Sequence, residues 1–525
     1  MSEELARQEA HPTGERQTEA ESYPAPHRVE TFGGSVQVSW SEESEVSLFG
    51  PLIYFVEFLR ASGLWSRYVE RCPLAYTSPN APSKEEILGT LLFSVLSGHR
   101  RYAHITGMRG DRTMAECLGI GQFRSEDSVR RAFEHVDEQE LTLWMDLSVN
   151  ECYEALLEPA WILDLDSTVK TLYGKQEEAR VGYNPIKPGR PSHVYHAMVF
   201  TAAKLVVNVD VQAGNQTASL YSQDALWGWL GARDRKYWPV LVRGDCGHGN
   251  EAMMAGCEKR KQAYLFKLKQ TPGVKRLVET LNKKAGTWKP AGQGWEGMEE
   301  QLQLQGWSRR RRVVVLRRPV AEPDQDRSQA GAGEQLCLPG MTIEQGNKQW
   351  WEYAVLVTDW AETGILGIAR MYRDRGDSEN MFDEMKNQWG WRGYSTQDLK
   401  RSQLMARMVA LIFNWWSIFT RMATGARHGE AITTRPELLQ GVARQTTHAN
   451  QKRITISSMH ARAMQFANKL AGFSEWLKKT AKCAEQLSNL ARWSRILRGI
   501  YRDFAGFNLD PFAQPTLVDP DNCRI

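Results

Sequence analysis

WILDLDSTV, residues 161–169, is where the chain stops reading as helices and begins to read as a sheet. Trp161 opens a run in which Ile162, Leu163, Leu165 and Val169 surround two acids, Asp164 and Asp166. Two residues apart on a strand, both acids point to one face of the sheet. Charge among aliphatic side chains is costly to bury unless compensated, and Ser167 and Thr168 then end the apolar run. Downstream, HVYHAMVFTA (193–202) and KLVVNVDV (204–211) are again rich in β-branched residues. YWPVLVRGD (237–245) is a further strand, followed by a helix across 253–261 and a strand, YLFKLK (264–269). Three strands and then strand–helix–strand predict an α/β domain with a sheet of mixed direction.

Outward toward the N-terminus, residues 47–157 have helical periodicity and short loops. LIYFVEFLRASGLW (52–65) is amphipathic, and Ser83 with Glu86 forms a capping box before an apolar helix across 87–96. SEDSVRRAFEHV (125–136) has a Ser N-cap and displays Arg130 and Arg131. Such an array suits a helix-turn-helix-like reader of DNA, and equally a plain helical bundle with a solvated Arg pair. Outward the other way, the first part of the α/β core spans 158–289 and a β-rich insertion 290–358. The core resumes over 359–400, and a basic helical region follows over 401–507. Residues 1–46 read as a disordered acidic tail and 508–525 as an irregular one.

The net charge of +4 conceals an asymmetry: residues 1–46 hold ten acids against three Lys/Arg, while 391–505 hold nineteen Lys/Arg against six acids. The basic, aromatic-interleaved block suits a polyanion or a solvated face. Hydrophobic content of 42% with 24% charge is that of a globular chain. The eight cysteines never form a CxxC pair, which predicts buried thiols in a reducing compartment. The start lacks a secretory signal, and no apolar run nears the roughly 20 residues of a membrane span. These features predict a cytoplasmic protein with no membrane partner.

The chemistry concentrates in MYRDRGDSENMFDEMK (371–386). Tyr372, Arg375, Glu379 and Lys386 are spaced by three, four and seven residues. On one α-helix they fall within about 60° of each other, a stripe suited to holding a metal and a phosphodiester together. Asp374, Asp377 and Glu384 point off it, and Asp383 lies beside it. Upstream, Asp166 ends its apolar run, and Asp245 ends a strand before the turn Cys246-Gly-His-Gly. A single strand-end Asp is more often a turn residue, and Asp210, with no turn after it, reads as structural. Two strand-borne Asp with a helix-borne Glu are oxygen ligands of the kind that hold Mg²⁺ or Mn²⁺. No nucleophile triad, Walker loop, Rossmann fingerprint or HExxH competes.

These residues resemble the DDE transposases of bacterial insertion sequences, in the branch marked by the signature Y-x2-R-x3-E-x6-K. Tyr372, Arg375, Glu379 and Lys386 match it without a gap. Asp166-Ser-Thr and RGDCGHG (243–249) occur in the expected order. Residues 173–177 (YGKQE) and 182–193 (GYNPIKPGRPSH) further resemble one subgroup. The resemblance covers about residues 50–505 and implies an RNase H-like core with a β-strand insertion between the second Asp and the Glu. It implies metal-ligand and catalytic roles for Asp166, Asp245 and Glu379 with two Mg²⁺ or Mn²⁺ ions, and DNA contacts for Tyr372, Arg375 and Lys386. It also implies cut-and-paste transposition through a hairpin, with double-stranded transposon ends and target as partners and a homodimer in the synaptic complex. Asp164 competes with Asp166 for the first place. Trp350 or Trp351 could hold a flipped base or be core residues. A non-catalytic DNA-binding relic or inhibitor is the alternative function.

Overall fold

The computed structural model describes residues 25–40, 45–76, 78–157, 161–284, 287–320, 336–339, 350–425, 428–449, 451–459, 462–483 and 486–501. Strands β1 (His27–Thr31) and β2 (Gly34–Val38) form a hairpin, and β3 (Val46–Ser47) follows. The segment expected to be a disordered tail therefore contains paired strands. Residues 1–24, 321–335, 340–349 and the 508–525 tail lie outside the described residues.

Seven helices come next: α1 (Leu52–Ser62), α2 (Leu64–Arg71), α3 (Lys84–Leu96), α4 (Ile105–Met108), α5 (Arg112–Cys117), α6 (Glu126–Arg131) and α7 (Glu138–Asn150). The capping box forms as expected: Ser83 accepts from the Glu86 N–H, and the Glu86 carboxylate accepts from the Ser83 N–H at 2.9 Å. Arg130, on the short α6, pairs with Asp127.

The main sheet starts with β4 (Ile162–Thr171), β5 (Arg180–Val181), β6 (Pro191–Phe200) and β7 (Leu205–Ala213). After α8 (Ala218–Gly231) come β8 (Leu241–Gly244), α9 (Glu251–Lys259), β9 (Tyr264–Lys267) and α10 (Pro272–Lys283). The strands β7, β6 and β4 are antiparallel, and β8 and β9 run parallel to β4 on its other side. This is the mixed α/β sheet expected from the sequence. Its parallel register pairs Asp164 with Arg243 and Leu165 with Gly244. One step further brings Asp166 alongside Asp245.

Strands β10 (Lys289–Gly292), β11 (Trp295–Leu302), β12 (Arg311–Val320), β13 (Leu336–Pro339) and β14 (Trp350–Thr358) lie in the stretch whose sequence predicts a β-rich insertion. They are not a separate sheet. β14 pairs with β9 through Leu356↔Lys267, so the insertion prolongs the core into one sheet of eleven strands.

Two helices, α11 (Ile365–Arg373) and α12 (Gly376–Gln388), replace the single signature helix, with the break at Asp374 and Arg375. Then α13 (Leu399–Thr424) runs buried through the molecule against β7. Asn414 of α13 accepts from the Val206 N–H at 2.7 Å and donates to its carbonyl at 2.8 Å, while Gln403 binds the Val211 N–H and the Val209 carbonyl. A strand edge with open N–H and C=O groups would otherwise be orphaned in a dry interior. Helix α14 (Ala431–Leu438) precedes a hairpin of β15 (Ala443–His448) and β16 (Gln451–Ile456), which pairs with β3. Helices α15 (Ala463–Cys483) and α16 (Asn489–Gly499) follow. The expected all-helical basic region thus includes a hairpin. Several of its cations are buried: Arg407 pairs with Asp210 at 2.7 Å, and Arg421 donates to the Ala203 carbonyl.

Candidate functional site

Asp166 stands on β4 with its side chain 18% exposed, and Asp245 follows the last residue of β8. The turn after Asp245 folds onto it: the Gly247 N–H and the His248 ring each reach Asp245 Oδ1, at 2.9 and 2.7 Å. His248 is fully buried, and a Cβ at Gly244 would lie 2.8 Å from its side chain, so only glycine fits there. Burial alone would raise the Asp245 carboxyl. The hydrogen bond and charge of His248, with Arg375 nearby, hold it well below the usual carboxylate range. Burial raises the Asp166 carboxyl, Arg375 opposes the rise, and the Asp245 charge adds to it.

Arg375, buried between the two signature helices, joins this pair to the third acid. Its guanidinium is 3.3 Å from Asp166 and 2.9 Å from Glu379. Burial alone would depress the guanidinium, but Asp166, with Tyr372, Asp245 and Asp164, keeps it a permanent cation. Glu379 is 65% exposed on α12. Lys386, half-buried, is depressed by burial and then supported by Asp166, Asp383 and Glu379. Burial pushes the Tyr372 phenol far up, and the charges of Asp245 and Glu379 add to this, so Tyr372 is a neutral O–H donor. The break between α11 and α12 does not scatter the four signature residues.

The two acids of β4 have different environments. Asp164 is fully buried and takes both Arg243 nitrogens, at 2.7 and 2.6 Å, and the Thr201 hydroxyl. The remaining Arg243 nitrogen donates to the Met371 carbonyl, one residue before Tyr372. Asp164 is therefore a structural ion-pair partner, and the solvent-accessible acid is Asp166. Neither His248 nor Arg243 stood out in the sequence, although both lie inside RGDCGHG. A His three residues after a strand-end Asp was the available signal.

Both ends of α12 are tethered. Lys204 Nζ donates to the Asp377 carbonyl at 2.9 Å. Buried Glu384 accepts from Trp389 Nε1, the Ala431 N–H and His428 Nε2 at 3.0, 3.0 and 2.8 Å. Trp351 stacks on Arg317, at 4.3 Å from guanidinium to ring centre, while Trp288 covers Arg317 at 3.8 Å. Trp350 opens the same strand.

Among the described residues no three His, Cys, Asp or Glu side chains lie close enough together to hold a metal ion. Glu379 is drawn to Arg375 instead of completing a triad with the Asp pair. The donors are nevertheless of the right kind. They are carboxylates only, and the Asp245 charge that raises Asp166 is a repulsion that a cation between them would relieve.

Among solved structures, the chain is similar to the piggyBac transposase in its synaptic complex with hairpin DNA, at 12% identity over 87% of this chain and 86% of that one, with a TM-score of 0.36. None of the curated proteins matches it. Residues 46–476 match the family described as transposase DDE domain group 1. That match spans most of the chain, which therefore belongs to this family of DDE transposases.

Proposed function

We propose that this chain is the transposase of an insertion sequence in the Y-x2-R-x3-E-x6-K branch. It binds the element's terminal inverted repeats and carries out metal-dependent strand cleavage and strand transfer, by cut and paste through a hairpin. The observation that carries the reading is the parallel register of β4 on β8. It ends at Leu165↔Gly244 and leaves Asp166 and Asp245 as the next residue along each chain, with Arg375 against Asp166 and Glu379. The order β7-β6-β4-β8-β9, three antiparallel strands and two parallel ones beyond the first, supports an RNase H-like core.

Asp166, Asp245 and Glu379 are assigned as the catalytic carboxylates and as ligands of two Mg²⁺ or Mn²⁺ ions. Such ions, when bound, ease deprotonation of the attacking oxygen and offset charge on the leaving one. The chain's own residues supply the rest. Arg375 balances Asp166 and Glu379 until a phosphate competes for its guanidinium. Lys386 adds a second cation beside Asp166, and the Tyr372 phenol donates to a phosphate oxygen without serving as a base. The residue 47–157 helices are assigned to end recognition, and two copies meet in the synaptic complex on transposon-end and target DNA. No helix among the described residues is long and apolar enough to cross a membrane. Action on nucleoid DNA in the cytoplasm is part of the proposed reading.

The test uses purified protein, linear DNA bearing the element's own ends, and Mg²⁺. Asp245→Asn and Glu379→Gln should abolish cleavage, a loss of at least about 100-fold as expected for essential charge-stabilising groups, while end binding persists. Cleavage at the wild-type rate by either variant refutes the metal assignment. A wild type that binds ends and never cleaves favours the non-catalytic reading. Lys386→Ala should lower the slope of log K against log salt by about 0.9, the share of one phosphate contact. An unchanged slope removes Lys386 from the DNA contacts.

A further inference from the structure

We infer that the segment between β4 and β6, residues 172–190, is a lip that grips DNA with unpaired bases, stacking Tyr173 and Tyr183 on them while Lys175, Lys187 and Arg190 take the flanking phosphates. The inference rests on the proposed DNA-cleaving function and names a second contact surface for the same substrate.

The segment is built at its base and open at its tip. Tyr173, Tyr183 and Ile186 are 73%, 55% and 63% exposed. Their neighbours are firmly anchored. The buried Asn184 donates to the Thr171 hydroxyl at 3.0 Å and accepts from the Lys187 N–H at 3.1 Å. The ring of buried His193 donates to the Glu177 carbonyl at 2.8 Å, and the Glu177 N–H reaches the Gln397 carbonyl at 2.7 Å. Gly182 lies against the backbone of Gly214, where a Cβ would come within 1.9 Å of a carbonyl oxygen. So many tethers on the inward residues hold the aromatic residues outward.

Charge and position point to a nucleic acid. The segment carries four exposed cations and two acids. Glu177 is engaged by the Leu399 N–H at 2.8 Å, and Glu178 by Arg180. Arg190 lies over the Tyr173 ring at 5.8 Å, an aromatic face beside a phosphate-binding group. The lip leaves the end of β4, whose Asp166 lies five residues before Thr171, about 17 Å at strand rise. The same end of β4 is tied to the segment after Lys386, through Lys170 Nζ to the Gly393 carbonyl at 3.1 Å. A lip here starts on the strand that carries Asp166 and is tied to the segment that follows the signature helices. Cations alone suffice to hold duplex backbone, but outward rings need bases with free faces.

The experiment compares a forked DNA carrying an unpaired arm with a blunt duplex of equal length, by fluorescence anisotropy at fixed salt. Wild type should prefer the fork. Tyr173→Ala with Tyr183→Ala should weaken fork binding by roughly 10-fold or more, the scale of one lost base stack, and leave duplex binding unchanged. Tyr173→Phe with Tyr183→Phe should keep the preference, because the rings remain. Equal fork and duplex binding by wild type overturns the lip, as does a fork preference that survives the alanine pair. So does an equal loss on both DNAs, which would be a general effect. A wild type that binds no DNA at all removes the proposed function and the lip together.

Discussion

At the scale of single residues, burial decides which charges matter. Arg375 is nearer to Glu379 than to Asp166, yet Glu379 is 65% exposed and Asp166 only 18%. The exposed Glu379 contact is screened by water and contributes little, while the attraction in the buried Asp166 contact is largely offset by the desolvation of both charges. The same argument separates the acids of β4. Asp164→Asn leaves the buried Arg243 charge without its partner and should destabilise the fold by about 3–5 kcal/mol. Asp166→Asn removes a carboxyl whose charged form burial already disfavours, and Arg375 keeps Glu379 as a partner, whereas Arg243 contacts no second carboxylate among the described residues. It should unfold near the wild-type denaturant midpoint and fail in cleavage. Urea unfolding of both variants checks this, and equal destabilisation would refute it.

Lys170 gives a pH test. It is buried on β4, and burial, with Arg392 adding to it, depresses its ammonium to about 8 from 10.5. The unfolded chain therefore binds this proton more tightly across that window, and stability attributable to Lys170 rises as pH rises from about 8 toward 10.5. Lys170→Met should lose this rise. The difference in unfolding free energy between wild type and variant should shift by about 3 kcal/mol across the window, read from urea midpoints at pH 7.5 and 10.5. A constant difference would mean that Lys170 titrates normally.

At the scale of elements, α13 has two tasks. Its apolar surface fills the core, and its polar side chains serve the edge of β7. Asn414→Leu leaves both backbone groups of Val206 unpaired in the interior, where each costs about 1–3 kcal/mol. The expected loss of roughly 2–6 kcal/mol is large enough to read from a denaturant curve, and a change below about 1 kcal/mol, near the error of such curves, would contradict it. The signature segment teaches a related lesson. Its 3.6-residue periodicity predicts one helix, but the chain breaks at Asp374 and Arg375. The carbonyl of Met371 is held by Arg243 at that point, and Lys204 and Glu384 tether α12 separately.

At the scale of the whole molecule, the N- and C-terminal regions share one core. Phe55 packs on Trp416 and Phe419 at ring separations of 5.5 and 5.3 Å, Tyr68 on Trp415 at 5.4 Å, and Phe58 on Trp493 at 6.0 Å. Helices α1 and α2 thus bury their aromatic residues against elements more than 300 residues away in sequence. Residues 47–157 expressed alone should lack a cooperative thermal transition, measured by circular dichroism, because their apolar faces then meet water. A sharp, reversible transition in that fragment would show an independent domain.

The sequence by itself determined the local rules. β-branched runs marked β4, β6, β7 and β8, and the aromatic and Leu residues of YLFKLK marked β9, because strand preference and period-two patterning act between near neighbours. The capping box of α3 was legible for the same reason, and the spacing of Tyr372, Arg375, Glu379 and Lys386 with the two Asp-bearing strands carried the family. Long-range pairing decided the rest. Only the register of β4 on β8 brings Asp166 beside Asp245 and takes Asp164 into the Arg243 ion pair, since strand alternation gives the two acids the same face. Only the fold joins the insertion to β9, seats β15 and β16 on β3, and turns basic residues such as Arg407 and Arg421 inward. Charge along a chain is local, whereas its burial depends on partners hundreds of residues away.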